Sequence, residues 1–279
     1  SQLGDLTIDM LRGSQGPQQA EFHELVNFLC DDLNPDVVLF SNALLSGILP
    51  ELKTRFRGKI ACLLQGDDVF LEALAEPWKS QARTLISQNA AGFDRLFTHS
   101  RYYSEFMQQY LRLPQEKFRT IPLTIDVESH LSNHDVQSNV SSNISQDASH
   151  SANLQRTTIG YFARISPEKG VFQFLDAVEE VISQTTDMDF VIAGYLPELH
   201  RVPFEKRLRA IQEQSSGNRL RWEGSPADRN EKFRILRSFD WLCVPAEYHE
   251  PKGLYVLEAA LAGVPSLLPN HGAFPERIA

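Results

Sequence analysis

The stretch Val244 to Pro265, VPAEYHEPKGLYVLEAALAGVP, decides the fold. It begins where an apolar, strand-like run, Phe239 to Val244, gives out, and passes through a short polar turn into a helix-like segment, Gly253 to Gly263. At 100° per residue Leu254, Leu257 and Leu261 fall on one face, which is expected to pack on a sheet. Glu258 falls on the same face, where a carboxylate is costly unless something pairs with it or it opens onto a pocket. Glu250 precedes it by eight residues, at the strand-to-helix turn, so both acids can border one crevice. The turn and the helix N-terminus after it present backbone N–H groups that suit an anionic or hydroxyl-rich ligand. The plain alternative for Glu258 is a buried acid paired to a structural arginine.

Upstream, the same strand-then-helix alternation recurs. Thr157 to Ala163 reads as a strand, followed by Arg164-Ile-Ser-Pro-Glu-Lys169-Gly170 and a helix carrying Val171, Leu175, Val178 and Ile182 at helical spacing. Ser166 is placed to cap that helix and Pro167 suits its first position. Arg164 and Lys169 put two cations at the positive end of a macrodipole, which Glu168 offsets only in part. An anion between them satisfies the arrangement; otherwise both side chains simply reach water. Strands are expected over Asp189 to Ala193 and Leu220 to Glu223, with helices over Pro203 to Gln214 and Pro226 to Arg237 and a last strand at Ser266 to Leu268. Gly194 and Gly224 follow strands, where a backbone can approach a nucleotide closely or a chain can simply turn.

The first half repeats the pattern more weakly. Residues 1–17 read as a polar, Gly-rich tail. An amphipathic helix, Ala20 to Leu33, is expected to bury Phe22, Leu25, Val26 and Leu29. Strands follow at Val37 to Phe40, Lys59 to Leu64, Arg95 to Thr98 and Phe118 to Leu123, with helices over Asn42 to Phe56, Pro77 to Ala91 and Tyr102 to Leu111. Strands alternating with helices over short connections indicate parallel, doubly wound α/β sheets, whose ligands sit beyond the strands' carboxyl ends. Gln65 and His99 stand at two such ends, although a lone histidine there is equally an ordinary loop residue. From Asp126 to Arg156 the composition turns to Ser, Asn, Gln, Asp and His, too polar to bury a core. The chain therefore divides into domains at 1–125 and 157–279, joined by a linker at 126–156.

Composition narrows the function. Net charge is −9 over 279 residues, which opposes nucleic-acid binding, since that needs a basic face. No apolar run approaches a membrane span. Cys30, Cys62 and Cys243 lie apart in apolar surroundings, and an odd count without a signal peptide favours the cytoplasm, or a peripheral place at the inner membrane surface. Asn139 and Asn143 open sequons that are expected to be chance matches in a Ser/Asn-rich tract. No G-x-G-x-x-G, P-loop, G-x-S-x-G or H-E-x-x-H occurs. Asp187-Met188-Asp189 stands before an expected strand rather than after one, the place of a surface turn.

Glu250–x7–Glu258, followed by Ala262-Gly263-Val264-Pro265, resembles the donor-site signature of the retaining family 4 glycosyltransferases (group 1), and Arg164–x4–Lys169-Gly170 resembles their pyrophosphate clamp. The resemblance is strong over residues 157–279 and weaker over 36–126. It implies the GT-B fold, two Rossmann-like domains facing a central cleft, here truncated at both ends, with the acceptor domain first and the donor domain second. It implies transfer of a hexosyl group from a nucleotide-diphosphate sugar to an unidentified acceptor (a glycan, a lipid-linked sugar or a small molecule), with retention of configuration and no metal or other cofactor. Catalytic roles fall on Arg164, Lys169 and Glu250. Glu258 would hold the ribose hydroxyls, the N–H groups of Gly253 and Leu254 would support sugar or phosphate, and Gly194, Lys252, Gln65 and His99 would also line the substrate. Two departures stand out: Lys252 replaces a common aromatic, and Gln65 begins a turn that usually begins with His, so it carries no proton at pH 7. A sugar-nucleotide 2-epimerase of the same fold, or a non-catalytic nucleotide-sugar-binding scaffold, shares these features.

Overall fold

The computed structural model describes residues 2–127, 156–215 and 218–278. The chain forms two compact units, Ser1–Leu123 and Thr124–Ala279. The linker expected over 126–156, with Asn139 and Asn143, lies outside the described residues apart from its ends.

The first unit is a four-stranded parallel sheet of β1 (Val37–Phe40), β2 (Lys59–Leu63), β3 (Arg95–Thr98) and β4 (Phe118–Thr120), ordered as in the sequence. The register aligns Phe40, Cys62, Leu96 and Phe118 in one row across all four strands. That row is buried under helices, because every second residue of a strand faces the same way. The helices are α1 (Gln2–Arg12), α2 (Gln19–Asn27), α3 (Leu49–Arg55), α4 (Asp67–Glu72), α5 (Trp78–Ala90) and α6 (Arg101–Leu111). Ser100 caps α6, its side chain accepting from the Tyr103 N–H at 3.1 Å.

Three expectations are corrected here. Residues 2–12 are not a polar tail: α1 buries Gly4, Thr7, Ile8 and Leu11. Only two of those four are large and apolar, and Leu3 and Leu6 on the same helix are exposed. The contact instead depends on smallness, since a Cβ at Gly4 would stand 2.4 Å from the Trp78 ring. Trp78 also donates its indole N–H to Asp5 at 2.8 Å. Leu25, expected in the core, is 44% exposed beside buried Phe22 and Val26. The turn at Gln65 to Asp68 runs on into α4, a short helix that the sequence did not announce.

The second unit holds five parallel strands in the order β7-β6-β5-β8-β9. Along the chain these are β5 (Thr157–Phe162), α7 (Val171–Gln184), β6 (Met188–Ala193), α8 (Glu198–Gln214), β7 (Leu220–Trp222), α9 (Arg229–Leu236), β8 (Trp241–Cys243), α10 (Leu254–Leu261) and β9 (Ser266–Leu267). Strands advance outward from β5 to β7, and the chain then returns to place β8 on the other flank of β5. That reversal is what double winding means, and among the described residues it occurs in this sheet. It opens a crevice beyond the carboxyl ends of β5 and β8.

Two details of this unit differ from expectation. Helix α8 begins at Glu198 rather than Pro203, which lies inside it. Its extra turn exposes Leu199 by 83% and Val202 by 74%, so no buried face marked it in the sequence. In α10 the buried residues are Tyr255, Val256, Glu258 and Ala259, while Leu254 is exposed and Leu257 and Leu261 are half-buried. The helix is apolar almost all round, so spacing could not choose its buried face.

Candidate functional site

Two loops meet at the crevice, residues 164–170 after β5 and residues 244–253 after β8. Their backbones are joined directly: the N–H groups of Glu247 and Tyr248 donate to the Glu168 carbonyl at 3.1 and 3.4 Å. The hydroxyl of fully buried Tyr161 lies 3.1 Å from the Arg164 carbonyl and 3.2 Å from that of Lys169, tying the first loop's two ends together. Gly170 has φ +75°, and a Cβ there would stand 1.9 Å from the Pro245 carbonyl oxygen. Only a residue without a side chain lets the loops approach this closely.

Lys169 and Glu250, 81 residues apart, form the centre of the site. The Lys169 ammonium donates to Glu250 Oε2 at 2.5 Å, with the side chains only 14% and 4% exposed. The same Oε2 accepts from the Tyr248 hydroxyl at 2.7 Å and from the Tyr255 hydroxyl at 3.1 Å. Lys169 also donates to the Tyr248 oxygen at 2.5 Å, and its charge sits 4.8 and 5.1 Å from the Tyr248 and Tyr255 ring centroids. Glu250 Oε1 accepts from the Lys252 N–H at 3.2 Å, and the Gly253 N–H also points at this carboxylate. Burial pushes the Glu250 carboxyl up, but Lys169, Tyr248 and the Gly253 N–H outweigh it and hold the group below the usual carboxylate range. Burial lowers the Lys169 ammonium against the pull of Glu250. A carboxylate oxygen with three donors is a poor base or nucleophile; its chemistry is to hold charge.

Arg164 is half-exposed and pairs with Glu168 at 2.5 Å. Both cations of the expected clamp therefore have a carboxylate partner, so no unbalanced charge remains at the loop in the free protein. Ser166 precedes a short turn of 3₁₀ helix, Pro167–Lys169, and α7 proper starts after Gly170. Glu258 is buried and pairs with Lys232 of α9 at 2.9 Å, a lysine where the sequence suggested an arginine. Gly253 adopts φ +70° and caps α10, with its N–H turned inward to Glu250, while Leu254 is 41% exposed at the first helical position. The Lys252 carbonyl accepts from Arg277 at 2.7 Å. Gly194, at φ +135°, stacks against the Ala163 carbonyl, where a Cβ would come within 1.9 Å. Its approach is thus to neighbouring backbone.

In the first unit Gln65 and His99 follow adjacent strands β2 and β3, as expected of a carboxyl edge. The Gln65 amide donates to the Ser41 carbonyl at 3.0 Å, and the His99 Nδ1–H donates to Ile121 at 3.1 Å. Buried Asp67 shapes this turn by accepting from the N–H groups of Ala43 at 2.5 Å and Gln65 at 2.9 Å. Burial raises its pKa. Among the described residues no group of three His, Cys, Asp or Glu is placed to hold a metal ion, and no helix is long and apolar enough to cross a membrane.

Sequence reasoning missed Tyr161, Tyr248, Tyr255 and Lys232. The two tyrosines nearest Glu250 stand inside the motif itself, so aromatic hydroxyls beside a buried acid were an available signal. Lys232 had none, being 26 residues from its partner.

Residues 143–279 match the model of a family described as glycosyl transferases group 1. Over 119 residues the chain is 29% identical to the 2-deoxystreptamine N-acetyl-D-glucosaminyltransferase of Niallia circulans, which covers 43% of this chain and 29% of that protein. Anabaena HepE, solved in complex with UDP and glucose, superposes with a TM-score of 0.69 at 14% identity over 94% of this chain. The trehalose-phosphate synthase of Burkholderia xenovorans, in complex with glucose-6-phosphate, gives 0.65 at 12% identity over 92%. The chain spans 66% of the length of each of these two solved chains. The fold is GT-B.

Proposed function

We propose that the chain belongs to a retaining glycosyltransferase of family 4 type that moves a hexosyl group from a nucleotide-diphosphate sugar to an acceptor hydroxyl. One observation carries the reading: the cations Arg164 and Lys169 and the carboxylate of Glu250 converge on two loops at the crevice where the second sheet reverses. The match of residues 143–279 to the group 1 family supports it. Arg164, half-exposed, turns from Glu168 to the donor diphosphate, and with Lys169 it stabilises the charge that develops on the departing group. This is work that a divalent cation does in other transferases, so the reaction proceeds without one. Glu250 orients the sugar and balances the cation-like transition state, while Glu258 takes the ribose hydroxyls. The departing phosphate oxygen accepts the acceptor's proton, consistent with the saturated carboxylate of Glu250. The first unit binds the acceptor, with Gln65 and His99 at its carboxyl edge, and the enzyme works in the cytoplasm.

Calorimetric titration of UDP, GDP and ADP tests the donor site. One nucleotide is expected to bind, with affinity falling about tenfold or more in Arg164→Ala and in Glu258→Ala. Undiminished binding in both variants would place the nucleotide elsewhere. With the matching nucleotide sugar, product requiring an acceptor marks a transferase, and the anomeric configuration of that product tests retention. Turnover without an acceptor would instead mark an epimerase.

A further inference from the structure

The arrangement around Lys169 goes deeper than the donor-site reading on which it rests. A lysine is a compact charge on a flexible four-carbon stem, and fixing it costs rotamer entropy. Here that freedom is already removed. Two of the three ammonium protons are committed, one to Glu250 Oε2 and one to the Tyr248 oxygen, each at 2.5 Å. Tyr248 closes a triangle by donating its own proton to the same Oε2 at 2.7 Å. Tyr255 reaches that oxygen from the first turn of α10 at 3.1 Å, and both aromatic rings stand within cation–π range of the ammonium. The tyrosines come from different elements, the β8 loop and α10, and both hydroxyls meet at this carboxylate.

We propose that Tyr248 and Tyr255 are positioning residues that hold Lys169 at a fixed place in the donor site with Glu250 as its counter-charge. The pair stays closed when the donor binds, and Lys169 meets the diphosphate with its one remaining N–H. The donor then receives a preformed hydrogen bond and spends nothing on ordering the side chain. Glu250 is set by the same two hydroxyls, so the tyrosines fix both the diphosphate-side cation and the sugar-side carboxylate.

Tyr248→Phe, Tyr255→Phe and the double variant test this, since each substitution removes one oxygen and keeps the ring. In ¹⁵N spectra of lysine ammonium groups, the wild type is expected to show one signal in slow exchange with water, assigned by its loss in Lys169→Arg. It should persist when UDP is added. In the double variant it should broaden away, with UDP affinity falling about tenfold. A purely structural role would lower the melting temperature yet leave the signal and the affinity at wild-type values, and that result overturns the proposal. Wild-type protein that binds none of UDP, GDP and ADP would defeat the donor reading, while the ammonium signal would still decide whether the tyrosines fix Lys169.

Discussion

Glu250→Ala should unfold the second unit more easily by about 3 to 5 kcal/mol, because it strands a buried cation. Lys169 is only 14% exposed, and without its carboxylate it keeps one hydroxyl acceptor and two ring faces. Glu250→Gln keeps an acceptor for the tyrosine hydroxyls but not the countercharge, so it should fall between wild type and Glu250→Ala. Urea denaturation followed by tryptophan fluorescence measures the loss, Trp222 and Trp241 reporting on this unit and Trp78 on the other. A change below about 1 kcal/mol, the level of an exposed pair, would mean that Lys169 finds water on its own. The effect has a pH signature. The folded protein holds the Glu250 carboxyl below its ordinary value of 4.5, so its contribution is complete above that value and disappears as pH falls through the folded pKa. Wild type and Glu250→Gln should therefore converge in stability under acid conditions. On the donor reading Glu250→Ala also abolishes transfer, which a coupled assay of nucleotide release would follow.

Gly170→Ala is the second large effect, and its size can be judged against a matched control. Gly170 and Gly224 have nearly the same φ, +75° and +77°, so both pay the strain of a left-handed alanine, about 1 kcal/mol. They differ in room: a Cβ at Gly224 meets nothing within 4 Å, whereas at Gly170 it lands 1.9 Å from the Pro245 carbonyl oxygen. That oxygen is backbone and cannot swing aside as a side chain does. Gly170→Ala should therefore cost more than about 3 kcal/mol and separate the two loops, which on the donor reading also weakens nucleotide binding. Gly224→Ala should cost about 1 kcal/mol. Equal melting temperatures for the two variants would show that the loop contact carries no weight.

How much of this was legible beforehand varied with the range of the interaction. Strands β1 and β3 were readable to the residue, because short apolar runs bounded by turn residues are local signals. The loop cations and both glutamates were legible as a pattern. What each touches was not. Lys169 was read as half of an open clamp, yet it is closed on Glu250, and Arg164 on Glu168. A pairing across 81 residues depends on which strands become neighbours, and no local spacing encodes that. The buried face of α10 was misplaced for a different reason: a helix apolar on nearly every side gives periodicity nothing to choose between. Helix α1 was overlooked because its contact with Trp78 is made by a glycine, a residue counted among helix breakers.

The strand reversal also dictates when the site comes into being. Strand β8 lies beside β5 in space but follows it only after β6, β7 and three helices have been made. As the chain leaves the ribosome, the Lys169 loop exists before its acid partner has been synthesised, and closing so long an interval is among the slower steps of assembly. A nascent second unit is thus without its lysine–glutamate lock until Glu250, 81 residues after the lysine, has emerged. Pulse-labelled hydrogen exchange during refolding should accordingly find the amides of Glu247 and Tyr248, which donate across to Glu168 of the Lys169 loop, gaining protection together with those of β8, after the β5–β6 ladder is already closed. Early protection of those two amides, ahead of β8, would reverse this order.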